Sequence, residues 1–388
     1  MSLFTKELIK IAVSRNISKK PVISQHFNIL IFSLTIILSL FGIVAVYSAT
    51  RSLGTNTQVI VQSASLVLGT ALLIAVCFFD YEQFKGLVKP IYIFAIAILV
   101  LVLVIGVGGE SWGAKSWIRI GAIGIQPSEL AKICFILTFS YHLSEVTEDI
   151  NKPLKLLGLI AHLSLIVLLI MLQPDLGSVL VFIFMFAVLL FTAKLSYKYI
   201  LPVLALAIIS VPLAYKYVLS DYQQQRINVF LNPDLDPLNR GYNVIQSKLA
   251  VGSGQVWGEG FLKGIQNRMG FLPAKYTDFI FSTISEEWGF IGSVLLVFAL
   301  FLLVYKCFKV AQRADNLYGK YIATGVGAMF LFHLFENVGM CIGLTSVTGI
   351  PLPFISYGGS SLITNMLAVG LVMSVDYHNK PRSTIEVY

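Results

Sequence analysis

The chain has 388 residues, of which 56% are hydrophobic and 12% are charged, and its formal net charge is +8. Soluble domains are about 45–50% apolar and about 25% charged, so this composition excludes an ordinary soluble globular protein and favours one embedded in a lipid bilayer. The basic residues cluster in short segments beside apolar runs, which makes anionic lipid, and not nucleic acid, their expected partner.

Apolar runs recur along the whole chain, each near the roughly 20 residues that a membrane-spanning helix needs. None of them alternates with the period of a barrel strand. The pattern predicts an all-α polytopic membrane protein with about ten transmembrane helices. The predicted spans are residues 28–48, 56–79, 89–108, 127–144, 154–171, 176–193, 199–219, 285–306, 320–343 and 358–376.

The distribution of Lys and Arg predicts the topology, because short cytoplasmic loops are enriched in both. Segment 1–27 and the tail 377–388 are basic, and an even number of spans places both termini in the cytoplasm. We expect one membrane domain over residues 1–388, with residues 220–281 as a large structured loop on the extracytoplasmic face. Within that loop, residues 244–251 are predicted to form a short helix that Gly252 ends.

Two loops on the predicted outer face, 109–126 and 220–281, are basic although the topology rule does not require positive charge there. Together they could form a binding site for an anion. The basic candidates for such a site are Lys115, Arg119, Arg226, Lys263, Arg268 and Lys275.

Asp278 has the strongest local signal for chemistry, because it lies between the outer loop and the apolar residues 279–281. Desolvation at such a boundary raises the basicity of a carboxylate, whereas a helix N-terminal cap is the structural alternative. Glu286 and Glu287 enter an apolar span, where ionisable side chains by default indicate a functional site. Either glutamate could instead bond to a neighbouring helix.

Glu129 and Lys132 are three residues apart and therefore share one face of a helix. They are predicted to form an ion pair facing a cavity in the bundle, with capping as the alternative for Glu129. Asp175 precedes another helix, where a cap is the expected role. Ser360 follows two glycines at a helix start, where free N–H groups could hold a phosphate or the glycines could simply allow a tight turn.

Other polar residues in the apolar runs carry weaker signals. His333, Glu336 and Asn337 share a helix face, which favours an interhelical hydrogen bond. The four cysteines have no C-x-x-C spacing and indicate neither a disulfide framework nor a metal site. No P-loop, H-E-x-x-H, G-x-S-x-G or dinucleotide motif is present, so ATP-driven and metalloprotease functions lose their support.

Six blocks stand in order along the chain: 113–118 (GAKSWI), 126–132 (QPSELAK), 173–177 (QPDLG), 241–248 (GYNVIQSK), 277–281 (TDFIF) and 353–360 (PFISYGGS). They resemble the SEDS family of shape, elongation, division and sporulation proteins, and the resemblance covers residues 28–378. The segment 232–248 is more similar to the RodA branch than to the FtsW branch. One departure is Tyr276, where many relatives carry His.

The resemblance implies a peptidoglycan glycosyltransferase that polymerises lipid II, works with a class B penicillin-binding protein, and uses Asp278 as its essential residue. Conversion of an α-linked sugar diphosphate into a β-1,4 bond inverts the anomeric centre, so one general base suffices. We expect Asp278 to deprotonate the acceptor hydroxyl while undecaprenyl diphosphate leaves. The basic residues, with a divalent cation such as Mg²⁺ or Mn²⁺, would stabilise the developing charge.

Two other functions stay open at this point. The charged and polar groups inside the bundle, such as Glu129 and Lys132, would also suit a lipid II flippase. The charged residues near the membrane lie mostly in its outer half, however, which favours a polymerase. A non-catalytic scaffold for the penicillin-binding protein would need only apolar surfaces and leaves the basic outer loops unexplained.

Overall fold

The computed structural model describes residues 27–107, 116–120, 123–217, 224, 228–230, 232, 235–236 and 240–379. Two predicted site residues, Lys115 and Arg226, lie outside these ranges, as does almost all of each basic terminus. The α-helices of the described residues are α1 (Ile29–Thr50), α2 (Thr57–Phe78), α3 (Val88–Ile105), α4 (Pro127–Val146), α5 (Pro153–Met171), α6 (Leu176–Thr192), α7 (Tyr197–Tyr217), α8 (Arg240–Ser253), α9 (Ile265–Met269), α10 (Ile280–Arg313), α11 (Leu317–Ile342) and α12 (Gly359–Tyr377).

Seven helices in the described part of the chain are long and apolar enough to cross a membrane: α1, α2, α3, α5, α10, α11 and α12. The chain is therefore a multi-pass membrane protein. Helix α6 is apolar but only 17 residues long, and α4 and α7 lie over the two remaining predicted spans. Helices are expected in this environment, because a lipid-exposed backbone must satisfy its own hydrogen bonds.

Helix α11 lies at the centre of the bundle, in contact with α4, α6, α8, α10 and α12. Its small residues allow this. A methyl group added to Gly325 would lie 3.3 Å from Ile136 of α4, and one added to Gly327 would lie 3.3 Å from Cys307 of α10. In lipid, where helices gain little from hydrophobic burial against each other, such close approach is a main source of helix association.

The polar segment 253–279 connects α8 to α10 and contains the short helix α9. It packs against the beginning of α10 and the end of α1, including the 3₁₀ turn Arg51–Leu53. The loop 343–358 between α11 and α12 returns to the same region, where the Tyr357 N–H donates to Tyr276 O at 2.8 Å. These segments form the end of the bundle at which Asp278 lies.

Three details differ from the sequence-based predictions. The fold is not purely α-helical, since β1 (Ile118–Ile120) and β2 (Ile123–Ile125) form an antiparallel hairpin in the predicted loop 109–126. Helix α8 continues through Gly252, because one glycine costs a helix only about 1 kcal/mol. Helix α10 begins at Ile280, earlier than predicted, and is interrupted at Gly289, which has φ 66° and ψ −164°.

Candidate active site

Asp278 lies two residues before α10, in a segment that α11 and the loop 343–358 hold in place. The Asn337 side chain of α11 donates from Nδ2 to Asp278 O at 2.8 Å and to Ile350 O at 2.8 Å. Ser356 Oγ donates to Thr277 O at 2.7 Å. The backbone around Asp278 is therefore fixed by side chains from two other parts of the chain.

The Asp278 carboxylate, in contrast, has no hydrogen-bond or ion-pair partner among the residues that the structure describes. It does not cap α10, whose N-cap position is Phe279 and lacks a side-chain cap. The side chain is half-buried, and burial raises the pKa of Asp278 to about 6. A carboxylate that is half-buried, without a described partner and fixed at its backbone is suited to accept a proton near neutral pH.

A cavity of about 340 Å³ opens where α1 meets the polar segment 253–279. Among the described residues, its lining includes two exposed arginines and no acidic residue. The lining residues are Ser48, Arg51, Ser52, Leu262, Asn267 and Arg268. Such a donor set favours an anion of the phosphate class, because guanidinium groups and hydroxyls can all donate to its oxygens.

Lys275 adds a third positive charge behind the cavity wall. Its Nζ donates to Ser52 Oγ at 2.7 Å and to Asn267 O, two residues that line the cavity. The side chain is buried, and this burial lowers the pKa of Lys275, an effect that Glu286 and Glu287 partly oppose. Lys275 lies three residues from Asp278 and thus connects the cavity wall to the segment that carries the carboxylate.

Glu286 and Glu287 hold the floor of the cavity in place and do not face solvent. Glu286 accepts hydrogen bonds from the N–H groups of Gln266 at 2.6 Å and Asn267 at 3.2 Å, at the start of α9. Glu287 accepts from Ser48 Oγ and, at 3.1 Å, from Asn267 Nδ2. Both carboxylates are buried, so their contacts support a positioning role for the α9 segment.

The interruption of α10 at Gly289 is filled by the segment 254–260. Gln255 O accepts from Phe290 N at 2.8 Å, and Glu287 O accepts from Gly260 N at 3.1 Å. A methyl group on Gly258 would overlap the Glu287 backbone. Backbone N–H and C=O groups that a continuous helix would pair internally are thus paired with this segment. The pairing fixes the segment, and the cavity next to it, in position against α10.

The Glu129 and Lys132 side chains are paired inside the bundle, with Lys132 Nζ 2.7 Å from Glu129 Oε1. The same ammonium lies 3.0 Å from His333 Nε2 of α11. All three residues are buried. The contact between Lys132 and His333 connects α4 to α11, the helix that also carries Asn337.

The remaining predicted site residues have separate places. Asp175 caps α6, accepting from Ser178 N at 3.0 Å and from Ser178 Oγ at 2.7 Å. Ser360 lies in the first turn of α12 with its Oγ unbonded within the described structure, and the preceding Gly358 N–H already donates to Gln62 Oε1 at 3.2 Å. Arg119 on β1 and Lys263 are exposed.

The structure brings together only part of the predicted basic set, namely Arg268 and Lys275, and adds Arg51, which the sequence analysis missed. Arg51 follows α1 directly. On the predicted topology this is the outer end of the first span, where the positive-inside rule does not account for an arginine. That misplacement is the signal that could have identified it.

A divalent cation is not supported by the side chains around the cavity. Within the described residues no three His, Cys, Asp or Glu side chains are grouped so that they could hold a metal ion, and the cavity itself is lined by positive and neutral groups. A cation that accompanies a diphosphate stays a prediction, and the chemistry available to Asp278 and the arginines does not require it.

Comparison with known proteins identifies the family of the chain. A family model described as cell cycle protein, FtsW/RodA/SpoVE, matches residues 26–381. The chain belongs to this family. The SEDS resemblance of the six sequence blocks is thereby confirmed over nearly the whole membrane domain.

Relatives within the FtsW/RodA/SpoVE family support the assignment. The chain is 35% identical to the peptidoglycan glycosyltransferase RodA of Treponema pallidum, over 91% of this chain and 98% of the relative. It is 35% identical to a probable peptidoglycan glycosyltransferase FtsW of Geobacter metallireducens, over 92% and 96%. A solved structure described as showing coordination of polymerization and crosslinking by a peptidoglycan synthase complex matches with a TM-score of 0.78 and 29% identity, covering 92% of this chain and 99% of that one.

Proposed function

We propose that the chain is a peptidoglycan glycosyltransferase that polymerises lipid II into glycan strands during cell elongation and shape maintenance. The observation that carries this proposal is the half-buried Asp278 carboxylate, which has no partner among the described residues, on a segment that also forms the wall of a cavity lined by two arginines. Relatives named as peptidoglycan glycosyltransferases support the reaction class.

The reaction is an inverting displacement with one general base. Asp278 takes the proton from the 4-hydroxyl of the acceptor's GlcNAc as that oxygen attacks the anomeric carbon of the donor's MurNAc. The new C–O bond is β-1,4, the bond from the anomeric carbon to the diphosphate oxygen breaks, and undecaprenyl diphosphate leaves with the bonding electron pair. Asp278 later returns its proton to water.

Arg51 and Arg268 stabilise the charge that develops on the leaving diphosphate, because both guanidinium groups line the same cavity. Behind the wall, the charge of Lys275 on Ser52 and Asn267 is offset by Glu287 on Ser48 and Asn267, so the two exposed arginines provide the attraction for the diphosphate. Arg119 and Lys263, which are exposed elsewhere, and Lys115 and Arg226 remain candidates for contacts with the sugars or with the acceptor strand. This arrangement assigns distinct roles to base and leaving-group site.

The membrane arrangement follows from the same proposal. About ten spans, with both termini in the cytoplasm and the loop 220–281 outside, place Asp278 on the extracytoplasmic face. A class B penicillin-binding protein would crosslink the strands that the chain makes. The similarity to a chain from a peptidoglycan synthase complex supports such a partner.

A lipid II flippase is the second candidate, because charged groups do lie inside the bundle. Glu129, Lys132 and His333, however, are each at most 2% exposed, and the Lys132 ammonium contacts both of the other side chains. They do not line an open path for a headgroup. A scaffold without catalysis would not need an unpaired base beside a cationic cavity.

Polymerisation in detergent tests the proposal against both alternatives. The purified chain, in complex with its penicillin-binding protein whose transpeptidase is blocked, is given lipid II in micelles, and the products are separated by size on a gel. Glycan polymer is expected, and a micelle offers no second leaflet for flipping. Absence of polymer from a monodisperse, intact complex would contradict the proposed function.

A further inference from the structure

The segment 256–261 carries an exposed apolar surface at the interruption of α10. Trp257 is 81% exposed, and Val256 and Phe261 are also exposed. The Phe261 ring lies 6.3 Å from the ring of Trp288, which is itself exposed. We call these four residues the aromatic patch. Water-exposed aromatic groups in such a cluster indicate that something apolar covers them.

The aromatic patch is continuous with a face of α10 that must contact lipid. Phe290, Val294, Phe298 and Phe301 are exposed and recur at helical spacing along one side of this apolar helix. Val256 O accepts from Ile291 N at 3.3 Å, so the patch sits directly at the first turn of that face. Tryptophan at the end of a lipid-facing surface is typical of the headgroup region.

The length of α10 gives an independent argument. From Phe290 to Lys306, which begins the basic end of the helix, there are 17 residues, or about 26 Å, at the lower end of the range for a membrane-spanning helix. A lysine at such an end can extend its ammonium group to the interface. Starting from Ile280 would instead place the buried Glu286 and Glu287 within the hydrocarbon. Gly289 therefore marks the point at which α10 enters the apolar layer.

We infer that the aromatic patch lies in the headgroup region of the membrane leaflet on the Asp278 side, where it anchors the segment 253–279 to lipid. The membrane-embedded part of α10 then begins at Phe290. Leu262, the neighbour of Phe261, lines the cavity that holds Arg51 and Arg268. The cavity consequently opens at the depth where the phosphates of a membrane lipid lie.

The depth of the cavity adds to the proposed function, and its relevance to the substrate rests on that proposed function. A diphosphate attached to a polyprenyl chain in the leaflet could place its phosphates beside Arg51 and Arg268 without leaving the membrane. The anchoring itself is a property of the protein and the bilayer. It can be measured without substrate.

Site-directed spin labelling tests the inference in the otherwise native chain, because its four cysteines are all buried. Trp257→Cys is labelled with a nitroxide in vesicles of phosphatidylethanolamine and phosphatidylglycerol. Its collision rates with oxygen, which enters lipid, and with a water-soluble nickel chelate are compared. Phe298→Cys is the matched deep control, because Phe298 lies eight residues beyond Phe290 and hence about 12 Å deeper along α10. The unsubstituted chain measures background labelling.

The expected result is a depth at headgroup level for the Trp257 label, clearly shallower than Phe298 but with far less nickel contact than a free label in water. Phe261→Cys should give the same depth, which guards against a local effect at one position. Nickel contact equal to that of a free label, or exclusion of both reagents by a protein surface, would overturn the inference. Failure of polymerisation would leave these spectra unchanged, so the two proposals fail separately.

Discussion

The Asp278 carboxylate combines a fixed backbone, held by Asn337, with a side chain that has no partner in the described structure. Burial raises its pKa to about 6. A general base must be ionised, so activity is expected to fall as the pH drops through this value. The residue therefore sets the acid limb of the pH profile.

We predict that the initial rate of lipid II polymerisation is constant above about pH 7 and declines roughly tenfold for each unit below about pH 6. The rate is measured at subsaturating lipid II between pH 5 and 8. Binding of the penicillin-binding protein is followed in parallel, so that dissociation is not mistaken for protonation. A rate that does not change between pH 5 and 7 would contradict the role of Asp278.

Arg51 is the second residue on which the chemistry depends. Arg51→Ala is predicted to lower kcat/KM for lipid II by roughly ten- to a hundredfold, because a hydrogen bond to a charged group contributes about 1.5–3 kcal/mol. Arg51→Lys should retain part of the activity, since lysine keeps the charge but loses the forked geometry.

The matched control for Arg51 is Arg313→Ala. Arg313 is also an exposed arginine, but it ends α10 at the far side of the bundle from the cavity. It should retain the kinetics of the unsubstituted chain. Equal kcat/KM for Arg51→Ala and Arg313→Ala would remove Arg51 from the site.

Among the elements, α10 is the one whose form depends most on distant sequence. Gly289 has φ 66°, and a methyl group there would overlap Gly258 N. Gly289→Ala is predicted to detach the segment 254–260, lowering the melting temperature and polymerisation together. Backbone strain of this kind costs about 1–3 kcal/mol before the overlap is counted.

Gly252→Ala provides the comparison for Gly289→Ala. Gly252 lies within α8, and no atom of the described residues beyond its own helix turn and chain neighbours lies within 4 Å of an added methyl group. This variant should be as stable as the native chain or more stable by up to about 1 kcal/mol. The interpretation of α10 would be wrong if both alanine variants melted at the native temperature.

Helices α4 and α11 are coupled by the Glu129–Lys132–His333 contacts. Lys132→Met is predicted to destabilise the protein by about 3–5 kcal/mol, because it leaves the Glu129 carboxylate buried without its counter-charge. The double variant Glu129→Gln/Lys132→Met should regain most of that loss. Thermal unfolding in detergent measures both, and a double variant no more stable than Lys132→Met would refute the coupling.

At the scale of the whole molecule, hydropathy was enough to predict a multi-pass helical bundle, because each span must be apolar over its own length. The interruption at Gly289 could not be predicted in the same way. The backbone groups that the interruption leaves without partners inside α10 bond to residues 255–260, about thirty positions earlier in the chain. No local sequence pattern indicates such a pairing. The hydrogen bonds from α9 to Glu286 and Glu287 also join residues about twenty positions apart, and they too could not be predicted from a local pattern.

The candidate site was likewise predictable in part. Asp278 was indicated by its place at the edge of an apolar run, which is a local feature. The cavity was not, since Arg51 and Arg268 come from segments more than two hundred residues apart. Charge composition alone proposed six basic residues and omitted Arg51. Among the proposed residues that the structure describes, packing places Arg268 in the cavity lining and Lys275 behind its wall.

The measurement that tests the central role of Asp278 most directly compares glycan polymer made by the native chain and by Asp278→Asn, each in complex with the penicillin-binding protein. Asparagine keeps the volume and cannot accept the proton. The substitution should not weaken the fold. Because the pKa of Asp278 is raised in the folded chain, its ionisation lowers the free energy of unfolding as the pH rises from about 4 through about 6. At pH 7 the uncharged asparagine variant should therefore melt at or above the native temperature.

Asp149→Asn, which removes a partly exposed carboxylate paired with Lys152, serves as the control in the same experiment. We expect polymer from the native chain and from Asp149→Asn, and none from Asp278→Asn at an unchanged or higher melting temperature. Polymer from Asp278→Asn at the native rate would show that the general base is another group.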